Sequence, residues 1–177
     1  MTDDVESNGA LDLDSPFWRF ALRVYARAGV SPLCLLLQDE NGIDVNLLLF
    51  ACWCGSTGRR LTVDDIEAAV AHTAGWTEAV VKNLRQARRA WKGIGPDEPR
   101  ARTGRETLKS VELLSEQIVC AMLFGIAEHL GTVQEPDISA SDPVRANLHL
   151  VLRRAGVAPD HADAASRLLV EACRAAG

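Results

Sequence analysis

Strand character is the first thing this sequence lacks. No stretch of its 177 residues alternates apolar and polar side chains between turn residues, so folds built on a sheet are excluded. Nucleotide-binding glycine loops of the G-x-x-x-x-G-K-[ST] or G-x-G-x-x-G type are missing, as is a G-x-S-x-G nucleophile elbow. A di-iron helical bundle needs Glu-x-x-His on inward faces, and neither Glu67 nor Glu128 has a histidine three residues on. "DDIEA" (Asp64 to Ala68) stops short of an Asp-Asp-x-x-Asp magnesium motif, and its acids suit a helix N-terminus. The four histidines are isolated, and Cys52 and Cys54, two apart, point about 200° away from each other on a helix. No catalytic residue, metal ligand or cofactor is therefore assigned, and a non-enzymatic role is expected.

Membrane and export signals are equally scarce. In "CLLLQDENGIDVNLLLFACWCG" (Cys34 to Gly55) the longer apolar block, Val45 to Cys54, contains Asn46. It falls short of the roughly 20 apolar residues a spanning helix needs. Asp39, Glu40 and Asp44 separate it from the first block, where a membrane hairpin would carry them through lipid. The opening "MTDDVESNGALDLD" holds five acids and no base, which reads as a flexible acidic tail over residues 1–14 with no export signal. Five cysteines, an odd number, all lie in apolar stretches, as free thiols do in a reducing cytoplasm. Cytoplasmic localisation is the expectation.

What the sequence does contain is helical periodicity. The expected fold is a single all-α domain over residues 15–177, with seven or eight helices. Its internal linkers fall at about 93–104 and 131–142, where glycine and proline collect. Ser15 and Pro16 cap a helix whose face Phe17, Ala21, Val24, Ala28 is apolar, while Arg19, Arg23 and Arg27 form a solvated basic stripe. "RAGVSP" and "RAGVAP" share turn chemistry and predict a helical hairpin near each end. Leu33 to Asp39 reads as a short helix stopped by "ENG". Ile43 to Cys54, apolar nearly all round, predicts a central buried helix with Asp44 as its cap.

Thr62 and Asp65 form a capping box for a helix ending near His72, after which "TAG" predicts a turn. Trp76, Val80, Leu84, Ala87 and Trp91 then give one core-facing stripe, and Leu108, Val111, Leu114, Ile118, Met122 and Ile126 give another.

Charge is segregated along the chain. Residues 82–109 carry nine bases against three acids, in a chain whose net charge is −5. Lys82, Arg88, Lys92, Arg102 and Arg105 form a candidate basic surface. The segment 63–92 imitates a helix-turn-helix around Ala74-Gly75, which keeps DNA binding open as an alternative, although a pI near 5.4 is low for phosphate-held domains.

Glu112 and Glu116 align on one helix face and are expected to meet arginines such as Arg85, Arg88 or Arg89 from a neighbour. Together with Asp44 and Asn46, the residues Arg85, Arg89, Glu112 and Glu116 make a candidate ligand-binding or partner-binding set.

"FWRFALRVYARAGVSPLCLLLQDENGIDVNLLLFACW", followed by "LRQARRAWK" and "ELLSEQ", resembles a family of small conserved bacterial proteins of unknown function, over about residues 16–120. The resemblance singles out Trp18, Tyr25, Gln38, Gly42, Asp44, Trp53, Trp76, Arg85, Lys92 and Glu112 and implies no substrate, cofactor or partner. The functional expectation is an interaction or assembly protein that binds an unknown protein partner or itself as a homodimer. A small-ligand pocket is the first alternative and DNA binding the second.

Overall fold

The periodic segments of the sequence form helices of a single all-α domain, seen here in a computed structural model that describes residues 11–94, 98–133 and 142–176. The helices are α1 (Pro16–Tyr25), α2 (Val30–Asn41), α3 (Val45–Ser56), α4 (Val63–Trp76), α5 (Lys82–Ile94), α6 (Pro99–Ile126), α7 (Pro143–Arg154) and α8 (Pro159–Ala176). A two-residue antiparallel bridge joins β1 (Arg59–Arg60) to β2 (Thr132–Val133). Residues 1–10 of the expected tail and 134–141 of the second linker lie outside the described residues.

Helix α3 is the centre. Asp44 accepts the Asn46 N–H at 2.9 Å and starts it, a cap that supplies one of the bonds the first turn lacks. Nine of its twelve residues are buried, because α1, α2, α6, α7 and α8 all pack on it. All five cysteines are free and buried. Where α3 crosses α7 the backbones meet so closely that a Cβ on Gly55 would lie 2.5 Å from Val144 Cα, so only glycine fits. Phe17, Phe50, Trp53 and Phe124 tie α1, α3 and α6 together, with ring centroids 5.4 to 6.1 Å apart.

One buried polar residue braces this centre. Asn147 on α7 is fully buried, accepts the Leu61 N–H at 2.9 Å, and donates to Arg59 O at 2.9 Å and Ala51 O at 3.3 Å. The arginine stripe, Arg19, Arg23 and Arg27, is exposed as expected, and two of its members also bond to the end of α8. Arg23 donates to Ala176 O at 2.8 Å and Arg27 to Ala175 O, which puts two cations on the negative end of α8.

The segment 63–92 departs from expectation. The turn at Ala74-Gly75 does not form: α4 runs through both residues to Trp76 and continues by one π-helical stretch, Thr77–Val81, into α5. A π turn inserts a residue and rotates everything after it. Val81 rather than Val80 is buried, and Trp91 remains 38% exposed, its ring lying against Gly104 of α6. The helix-turn-helix reading loses its geometry here.

The first linker shrinks as well, because α6 begins at Pro99, capped by Glu98. Its phase also differs from the apolar stripe in the sequence. Glu112, Ser115, Val119, Cys120 and Leu123 face inward, while Val111 and Leu114 stay 45% and 48% exposed. Helix α6 with the turn after it, Pro99–His129, is the one element long and apolar enough to cross a membrane among the described residues, and that property escaped the sequence reading.

Candidate functional site

The inward turn of Glu112 follows from its partners. Helix α5 repeats arginine at Arg85 and Arg88, three apart and so on one face. Helix α6, antiparallel in sequence order across the short link, repeats glutamate at Glu112 and Glu116.

The two faces interlock. Arg85 Nη2 donates to Glu116 Oε1 at 2.6 Å, and Arg85 Nε lies 3.6 Å from Glu112 Oε1. Arg88 grips Glu112 with two nitrogens, Nη2 reaching Oε1 at 3.1 Å. Glu112 is only 6% exposed, so this network is shielded from the water and salt that weaken surface pairs. Glu112 raises the Arg88 pKa through that hydrogen bond.

These side chains form the floor of a concavity of about 680 Å³ between α1, α2, α5 and α6. Asn46 and Cys120 complete the floor, joined by a Cys120 Sγ–H to Asn46 Oδ1 contact of 3.6 Å. The walls are Trp18, Leu22 and Tyr25 from α1, Leu35 and Gln38 from α2, and Leu113 from α6. Leu22, Leu35 and Leu113 are each about half exposed at the mouth.

Of the six candidate residues, the fold brings four, Asn46, Arg85, Glu112 and Glu116, into this one concavity. Asp44 sits just behind it at the α3 cap, within electrostatic reach of Arg85 and Glu116. Arg89 goes elsewhere and pairs at the surface with Asp39 of α2 at 2.5 Å.

The basic surface is similarly divided. Arg88 belongs to the floor, Lys82 pairs with Glu78, and Arg105 lies 3.7 Å from Glu106. Lys92 and Arg102 are exposed. Desolvation raises the pKa of both Asp44 and Glu116, against the opposing pull of the Asn46 N–H on Asp44 and of Arg85 on Glu116. Burial likewise raises the Cys120 thiol, which makes it a poor nucleophile.

Five residues singled out by the family resemblance, Trp18, Tyr25, Gln38, Arg85 and Glu112, line the same concavity. The others have different surroundings. Gly42 ends α2 at φ 66°, Asp44 caps α3, Trp53 packs in the aromatic cluster, Trp76 donates to Ser115 O at 3.0 Å, and Lys92 is exposed. Leu22, Leu35 and Leu113 were missed by sequence reasoning, since a leucine at a groove mouth carries the same local signal as one in a core. Among the described residues, no group of three or more histidine, cysteine or acidic side chains is placed to hold a metal ion.

Residues 16–123, more than half of the chain, match the family described as "Protein of unknown function (DUF2390)", and the chain belongs to that family. No curated protein and no solved structure matches it.

Proposed function

We propose that this chain is a binding protein whose α1–α2–α5–α6 concavity holds a small amphipathic ligand. The observation that carries the reading is convergence. Asn46, Arg85, Glu112 and Glu116, from three helices, meet under apolar walls in one space of about 680 Å³, inside the usual range of small-molecule sites, about 300–1,000 Å³. Apolar walls with few fixed polar groups suit binding and orientation. No nucleophile with an adjacent base is among them, so the proposal is binding rather than catalysis. The five unpaired thiols fit a reducing compartment such as the cytoplasm.

Amide NMR of the full chain against a fragment library tests this. Shifts should cluster on Trp18, Tyr25, Gln38 and Asn46, and Leu35→Trp, which fills the mouth, should remove them. Shifts scattered over the far side of α7 and α8, or none at all, refute the reading.

A second reading, self-association or docking of a protein partner, is favoured by Val111 and Leu114, which form a half-exposed apolar strip on the outer face of α6. Light scattering should then give a dimer mass that Leu114→Glu converts to monomer.

A further inference from the structure

We infer that the concavity takes an organic cation, a protonated amine on a short apolar body, with its charged head seated on Glu116. This deepens the ligand-binding reading and rests on it.

The charges of the floor argue for a cation. Glu112 and Glu116 in the floor, with Asp44 just behind it, make three carboxylates against two guanidiniums, Arg85 and Arg88, while Lys109 and Glu106 both line the rim and Glu106 also lies 3.7 Å from Arg105. An incoming anion would add a fourth negative charge, whereas a cation evens the balance. Both arginines are already committed, Arg88 through two nitrogens to Glu112 and Arg85 to Glu112 and Glu116. To reach Arg88 an anion must displace Glu112, which is 6% exposed, leaving it buried and unpaired.

Glu116 is the acid with room left. Its Oε1 accepts from Arg85, while Oε2 has no hydrogen-bond partner among the described residues, and a carboxylate has about four acceptor positions.

The surroundings add two further features. Asn46 is 9% exposed and lines the floor, in contact with Cys120, which lies one helical turn along α6 from Glu116. Its Nδ2 donor has no partner among the described residues, so a hydroxyl or carbonyl on the same ligand has a place to bond. Trp18 and Tyr25 belong to the wall, and aromatic rings attract ammonium groups. The outer basic residues Lys82 and Arg89 are paired with Glu78 and Asp39, so their repulsion of a cation is muted at ordinary salt.

The test is an NMR titration of the full chain with hexylammonium, hexanol and hexanoate at matched salt. Hexylammonium should bind about tenfold more tightly than hexanol, as a charge-assisted bond predicts, with hexanoate weakest. Glu116→Gln should erase the preference for the amine while leaving hexanol binding unchanged. Because that change also frees Arg85, Leu35→Arg at the half-exposed mouth is a second variant that disturbs no buried pair, and it too should weaken the amine about tenfold. Hexanoate binding as tightly as the amine, or both folded variants keeping the preference, overturns the cation assignment and leaves the groove reading standing. Failure of all three probes to move groove resonances overturns both.

Discussion

Helices α3 and α5 are nearly equal in length and opposite in character. Nine of twelve residues of α3 are buried, whereas none of the described side chains of α5 is. Hydrocarbon packing on five neighbouring helices holds the first. The second is held through paired charges, Arg85 and Arg88 against Glu112 and Glu116, and through one tryptophan ring against Gly104. The concavity lies where these two kinds of region meet, with Asn46 of α3 on one side and the arginines of α5 on the other. A ligand site needs polar groups that are held yet not consumed by the core, and this boundary supplies them.

The largest effect that would confirm this contrast is expected in α3. Leu48 is fully buried, and Leu48→Ala should cost about 4 kcal/mol in urea unfolding. The half-buried Leu84 of α5, truncated in the same way, should cost about 1 kcal/mol. Equal costs would show that α5 is part of the core and would break the comparison.

Next comes Asn147→Ala, which leaves the Leu61 N–H and two carbonyls without their side-chain partner. It should cost about 3 kcal/mol, since orphaned buried groups carry their full desolvation penalty. Glu112→Gln, which leaves two guanidiniums facing a neutral amide, should cost about 2 kcal/mol. Its loss should also appear as faster amide exchange in α5 with α3 unchanged.

These sites also show where a sequence can and cannot be read. The Asp44 cap, the Thr62–Asp65 capping box and the sealed character of α3 were legible, because each depends on residues within one turn or on composition alone. The phase of α6 was not. Val111 and Leu114 are more apolar than Glu112 and Ser115, yet the latter face inward, because Arg85 and Arg88 arrive from another helix to neutralise the glutamate. The π-helical stretch was hidden too: α6 packs on α4 and on the stretch itself, contacts far apart in sequence, and Ala74-Gly75 carries the same residues a turn would. Three site residues, Arg85, Glu112 and Glu116, could be named because charge spacing survives in one dimension, while Arg89, one position from Arg88, shows that spacing alone does not say which side of a helix meets the partner.

A smaller effect concerns pH. The folded-state pKa of Glu116 is raised above its ordinary 4.5 by burial, so the folded chain holds that proton longer than the unfolded chain. Stability contributed by this group is therefore present at low pH and declines as pH rises from the ordinary value through the raised one. Asp44 acts in the same direction, whereas Asp65 and Glu67, with lowered values, act in the opposite one. The difference between wild type and Glu116→Gln isolates the one group. Their unfolding free energies should diverge in slope as pH rises above the ordinary carboxylate value of 4.5, with wild type losing more. Parallel slopes would mean that Arg85 offsets the desolvation completely.

The smallest effect is expected at a short, half-exposed ion pair of this region. Arg89 lies 2.5 Å from Asp39, closer than Arg85 Nη2 lies to Glu116, but the two side chains are 52% and 54% exposed. Water and ions compete at both ends, and two long side chains lose rotamer freedom to hold the pair, so Arg89→Ala should cost about 0.5 kcal/mol or less. Arg85→Ala, one turn away on the same helix and 19% exposed, should cost several times that. A double-mutant cycle on each pair makes the comparison quantitative. If the Arg89–Asp39 coupling equalled that of Arg85 with Glu116, burial would not be what separates them, and the arginines of α5 would form one surface rather than a floor and a rim.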